Sequence, residues 1–156
     1  MKPTNVTRIL DQRNIPYTII EVPAKKLSAV EAAQIIGVAP RIVYKTIVVK
    51  RQLKGKPILA VIPGDKTVNL KSVAQAIGEK SVVLATEREA EQLTKLQAGG
   101  ISPLALLNKG FQVILDSDAT QLENIYISGG QRGMNIRLPV VELIQITNAL
   151  LAEITR

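Results

Sequence analysis

The chain has 156 residues, 46% of them hydrophobic and 21% charged, which is enough for one domain with a real core. It contains no cysteine and no histidine, which excludes disulfides, thiolate or imidazole catalysis and Cys/His metal sites and leaves lysine, hydroxyls, carboxylates, backbone amides or the substrate itself to carry any chemistry. The net charge is +7, and eleven Lys/Arg face only Asp11, Glu21 and Glu31 up to residue 60; this fits a polyanionic partner and fits a solubilising surface equally well.

In chain order, residues 4–14 are predicted as a helix with Val6, Ile9 and Leu10 on one stripe, stopped by Asn14-Ile15-Pro16. The start, Met1-Lys2-Pro3, has no leader pattern and no apolar run approaches membrane-spanning length, so a cytoplasmic protein with no membrane partner is expected. Residues 17–22 alternate as a strand. Ser28 and Glu31 form a capping box that opens a helix ending at Gly37. Residues 42–51 and 57–62 are two strands joined by a basic hairpin tip with Lys50, Arg51, Lys54 and Lys56. Asn69 caps a helix through Ile77, and Gly78 stops it. A short strand at 81–85 precedes a second capping box, Thr86 with Glu89, whose helix runs to about Leu96. Strands follow at 111–115, 124–128 and 135–138. Pro139 is placed at the first position of a closing helix that buries Val141, Ile144, Leu150, Leu151 and Ile154. Strands outnumber those of a simple βα alternation, so the fold class is α+β, a mixed sheet with peripheral helices in a single domain over 1–156.

Three segments stand out chemically. Lys45 interrupts the apolar run 42–49 and shares a strand face with Val43, Ile47 and Val49. A charge aimed at an apolar face needs a pocket beside it, or else its stem snorkels past the sheet edge; both readings fit. Gly99-Gly100-Ile101-Ser102-Pro103 is a loop whose glycines leave backbone groups open to a ligand, or an ordinary tight turn. Ser128-Gly129-Gly130-Gln131-Arg132-Gly133 follows a strand and suits close approach to a sugar, phosphate or carboxylate, though it matches neither a Walker A loop nor a dinucleotide fingerprint. Glu87, Glu89 and Glu91 read as a solvated first helical turn rather than a metal site. Asp116 and Asp118 end a strand, as a turn or a site.

Together, Val43-Tyr44-Lys45-Thr46, Val61-Ile62-Pro63-Gly64-Asp65, Gly99 to Leu104, Asp116 and Ile125 to Gly130 resemble the YbaK/prolyl-tRNA synthetase editing-domain family, over about residues 5 to 150. The resemblance implies a partly barrel-like sheet surrounded by helices. It also implies a free-standing enzyme that discharges an amino acid wrongly esterified to tRNA, on Cys-tRNA(Pro) or Ala-tRNA(Pro). No cofactor and no metal are implied; the partners are the aminoacylated tRNA end and, as an option, prolyl-tRNA synthetase. Such a second sieve is needed because one methylene in a pocket discriminates by only ~1–3 kcal/mol.

By the same resemblance, Lys45 anchors the substrate and the loop from Gly99 to Pro103 orients the ester. Thr46, Asp116, Ser128, Gly129, Gly130 and Asn135 complete the substrate contacts, and water or the substrate's own thiol attacks. Lys50, Arg51, Lys54 and Lys56 are the expected acceptor-stem contacts. The chain departs from the family pattern at Thr94-Lys95-Leu96, at Asn135, where many members carry aspartate, and at Ile19-Ile20-Glu21-Val22. These departures leave open the amino acid cleared and admit an alternative, a catalytically silent tRNA- or synthetase-binding module. A third reading is hydrolysis of a small aminoacyl ester or adenylate.

Overall fold

The computed structural model describes residues 3–156; Met1 and Lys2, part of the start expected to lack a leader pattern, lie outside them. Helices α1 (Asn5–Gln12), α2 (Ala29–Ile36), α3 (Leu70–Ile77), α4 (Glu87–Thr94) and α5 (Val140–Thr147) surround two sheets. One sheet has β1 (Thr18–Glu21), β7 (Met134–Pro139) and β6 (Asn124–Ser128) in the order β1-β7-β6. The other has β2 (Tyr44–Arg51), β3 (Ile58–Pro63), β4 (Val82–Leu84), β5 (Gln112–Asp116) and β8 (Leu150–Ala152) in the order β4-β2-β3-β5-β8.

The second sheet is mixed: β2 pairs antiparallel with β3 and β4, whereas β3–β5 and β5–β8 are parallel. A parallel bridge between Val43 and Tyr126 joins the sheets. The α+β class is therefore observed, and among the described residues two open sheets meet at one bridge with no closed barrel.

Strand β3 reads as an unbroken apolar run because both of its faces are covered. Leu59 and Val61 face the large core between the sheets, together with Leu10, Leu115, Ile127, Ile136 and Leu138. Ile58, Ala60 and Ile62 face a second core with Val49, Val73, Ala74 and Ile114. Strand β2 divides in the same way, Tyr44 and Val48 to the first core and Ile47 and Val49 to the second.

The capping boxes at Ser28/Glu31 and Thr86/Glu89 form as the sequence predicts, each with both reciprocal bonds. The closing segment differs. Pro139 ends β7 and caps α5 from outside it, and Asn148, in the left-handed region at φ 52°, stops the helix. Leu150 and Leu151 then form β8 and are 38% and 40% exposed; Val141 is 64% exposed. Ile154 is buried, but past the helix. The apolar residues after Asn148 serve a strand edge rather than a helical stripe.

Candidate active site

The cavity opens where β4, β6 and the start of β2 diverge. It measures about 500 Å³, and Lys45, Thr46, Gly99, Ile101, Ser128 and Asn135 all line it, so residues from all three sequence segments meet there. Strand β2 supplies Lys45 and Thr46, the loop after α4 supplies Gly99 and Ile101, and cross-strand partners Ser128 and Asn135 come from β6 and β7.

Lys45 is half-buried, and its Nζ donates to the Gly64 carbonyl at 3.2 Å. Burial pushes its pKa below the ordinary lysine value, partly countered by the nearby Asp65 carboxylate. Among the described residues no carboxylate forms an ion pair with it. Two of its three N–H donors thus remain for a ligand, and desolvation strengthens whatever they hold.

Two further polar atoms of cavity-lining residues are buried with no protein partner: Asn135 Oδ1 and the Tyr44 hydroxyl. Buried polar atoms are nearly always satisfied, so these two are exceptions in the wall around the cavity. Burial, with Asp116, Asp118 and Asp65 nearby, raises the Tyr44 pKa far above the ordinary value and keeps its hydroxyl protonated.

The two glycine loops are tied to each other. Arg132 Nε donates to the Ala98 carbonyl at 2.7 Å, and Ser128 Oγ reaches the Gly99 carbonyl at 3.4 Å. A Cβ on Gly100 would stand 2.9 Å from the Gln131 backbone, so only glycine lets the loops approach this closely. Over the mouth runs the segment from Val22 to Leu27. The Val22 N–H donates to the Gly133 carbonyl at 3.1 Å, and Lys26 pairs with Glu87 at 3.2 Å.

Several expected site residues lie elsewhere. Asp116 is fully buried away from the cavity; its carboxylate accepts from the Ile154 N–H at 3.0 Å and the Asp118 N–H at 3.2 Å, holding the C-terminal turn onto the sheet. Ser102 is buried and caps the short 3-10 turn Pro103–Leu106 through the Leu104 N–H. Gly129 and Gly130 pack against Met134 and Ala105 rather than lining the cavity.

The basic hairpin tip is mostly engaged internally. Lys50 pairs with Glu89, Arg51 with Glu79 and Gln112, and Lys56 lies 5.2 Å over the Phe111 ring, which leaves Lys54 as its uncommitted cation among the described residues. The pairing has a physical reason: acids brought in from α4 and from the turn after α3 neutralise charges that look free in the sequence. Glu91 likewise has a partner, accepting from the Ala98 N–H at 2.8 Å.

Sequence reasoning missed the mouth and the walls. Lys25, Leu27, Ala85, Glu87 and Met134 line the cavity, and only the Lys25-Lys26 pair just before the first capping box hinted at it.

A family model described as the aminoacyl-tRNA editing domain matches residues 23–146, and the chain belongs to this family. Among its relatives is a protein of Enterococcus faecalis provisionally named as the Cys-tRNA(Pro)/Cys-tRNA(Cys) deacylase EbsC. That protein is 35% identical over 97% of this chain and 93% of its own length. A proline–tRNA ligase of Thermodesulfovibrio yellowstonii is 31% identical over 79% of this chain, which matches only 20% of the ligase. A solved structure described as hypothetical protein APE2540 superposes with a TM-score of 0.88 at 27% identity, covering 98% of this chain and 100% of that one.

Proposed function

We propose that the protein is an aminoacyl-tRNA deacylase that clears mischarged tRNA in trans, with Cys-tRNA(Pro) or Ala-tRNA(Pro) as its substrate. The observation that carries this is the convergence of the Lys45 strand, the Gly99–Ile101 loop and the Ser128/Asn135 pair on one cavity that offers donors and acceptors without Cys or His. Such a site works by position and dipoles. Lys45 anchors the phosphate–sugar end or the ester carbonyl, backbone groups of the glycine loop orient the ester, and Ser128 and Asn135 add polar contacts. The attacking group is water or, for a cysteinyl ester, the substrate's own thiol.

The likeness to the Enterococcus protein over nearly its whole length supports action as a separate editing domain over 1–156. The likeness to a fifth of a proline–tRNA ligase supports tRNA(Pro) as the carrier and prolyl-tRNA synthetase as an associate. No helix among the described residues is long and apolar enough to cross a membrane, which is compatible with work in the cytoplasm. Polyanion contact is assigned to Lys25, which lines the cavity, and to Lys54 at the hairpin tip, since neither forms an ion pair among the described residues, whereas Lys26 is held by Glu87.

A panel of mischarged tRNAs tests the proposal. Discharge of cysteinyl- or alanyl-tRNA(Pro), with activity falling as salt rises, is the expected result. Failure to discharge any member of the panel would leave a binding module with an editing fold.

A further inference from the structure

The pairing of β2 leaves one residue, Thr46, with neither its N–H nor its C=O opposite a strand on the outer edge. Along an antiparallel strand the N–H and C=O of one residue point to the same side, and successive residues alternate sides. The Ala85 N–H donates to the Val48 carbonyl at 3.1 Å, so the even-numbered residues of β2 face the β4 edge and the odd-numbered ones face β3.

At the start of the strand, that outer edge meets β6 through the bridge between Val43 and Tyr126. The Val43 N–H is already committed to the Pro40 carbonyl at 3.2 Å, so the bridge runs through the flanking peptide groups of Ile42 and Tyr44. Further along, β4 takes over, with Val49 opposite Leu84 and the Ala85 bond to Val48. Among the described residues no strand stands opposite Thr46 in the gap between them. Its N–H and C=O open toward the cavity that Thr46 itself lines, beside Lys45.

We propose that the backbone N–H and C=O of Thr46 are the receptor for the α-aminoacyl group, a reading that rests on the deacylase function above. An α-aminoacyl ester carries a nitrogen donor and a carbonyl acceptor on either side of one Cα, the same pair that a residue of a neighbouring strand presents. Bound in the gap, it completes the edge of β2 as a strand one residue long. The substrate's α-nitrogen donates to the Thr46 carbonyl, and the ester carbonyl accepts from the Thr46 N–H. The second bond lies on the oxygen where negative charge develops when the ester is attacked, so it binds the transition state more tightly than the ground state. Both contacts engage groups common to every amino acid. The cavity walls, with Ile101, Ala85 and Met134, are left to select the side chain.

The probe is 3′-(L-alanylamino)-3′-deoxyadenosine, which has an amide in place of the labile ester. With the isotope-labelled wild-type protein, saturation slows hydrogen exchange at the Thr46 amide by about tenfold or more, as expected for an edge group that gains a partner. Thr46→Pro removes that N–H at an edge position where proline is tolerated, and it lowers kcat/KM for mischarged tRNA by about 100-fold. Thr46→Val, which keeps the N–H and loses only the hydroxyl, lowers it by at most about tenfold, the scale of one neutral hydrogen bond.

Probe binding with unchanged exchange at Thr46, or equal losses in the two variants, overturns this subsite and leaves the deacylase reading standing. Wild-type protein that neither binds the probe nor discharges any tRNA overturns both. Should Thr46→Pro fail to fold, the exchange measurement on the wild type decides alone.

Discussion

Lys45→Met keeps the reach of the side chain and removes its charge. In the free protein Lys45 has one carbonyl partner, Gly64, and no ion pair among the described residues, and burial lowers its pKa. The charge is therefore held against its own preference, as expected where stability has been given up for a ligand. In the substrate complex one or two charge-assisted hydrogen bonds to a phosphate or a developing oxyanion amount to about 3 kcal/mol, or roughly 150-fold in kcat/KM.

The assay is single-turnover release of labelled amino acid from mischarged tRNA, with thermal unfolding followed in parallel. Activity falls by about two orders of magnitude, while the unfolding midpoint stays level or rises. Turnover within about tenfold of wild type would refute the anchoring role. The pH dependence follows with a definite sign. Because the folded-state pKa lies below the ordinary 10.5, rising pH strips the proton from Lys45 earlier than from an unfolded lysine. Over that window the fold gains stability and the site loses its anchor, so binding of the amide probe weakens more steeply in the wild type than in Lys45→Met, where only the probe's own α-amine titrates.

Other perturbations have separate readouts. Lys95 caps α4 in the left-handed region at φ 63°, so Lys95→Gly raises stability by about 0.5–1 kcal/mol in a denaturant melt, relief of strain offset by the greater freedom of the unfolded chain. Asp116→Asn puts an amide where two backbone N–H groups need acceptors and costs about 2 kcal/mol in the same melt, while kcat/KM per folded molecule stays close to wild type. Lys50 and the Thr86 cap hold the Glu89 carboxyl down at about 2. Their contribution to stability is therefore full above its ordinary 4.5 and is lost as pH falls toward 2, so thermal melts of Glu89→Gln and wild type converge on acidification.

Local rules carried much of this fold. The two capping boxes, the glycine stop at Gly37 and the β2–β3 hairpin depend on neighbours within a few residues, so spacing alone set them. The Lys45 anomaly was legible for a related reason. A strand alternates its faces, so one charge in an apolar run has few places to go, and here it reaches a cavity. The sequence could not separate groups that share a type but not a location. The motifs group Ser102 and Asp116 with the site, yet Ser102 accepts from the Leu104 N–H, and Asp116 from the Asp118 N–H and from the Ile154 N–H past the end of β8.

Charge was legible only as a sum. Which lysines stay free depends on acids such as Glu79 and Glu89 that fold back onto the hairpin from about 30 to 40 residues away in the chain. The strand at Leu150 was hidden because an edge strand with one partner has no alternation strong enough to distinguish it from the end of an apolar helix. The open edge at Thr46 is tertiary in the same sense. It exists because β6 leaves the edge of β2 before β4 joins it, and pairing between strands more than thirty residues apart leaves no mark on the local pattern. Sequence by itself determined the family and the residues that could act, since both follow from short-range order. The tertiary structure alone decided which of those residues share a cavity, because that depends on where distant strands part.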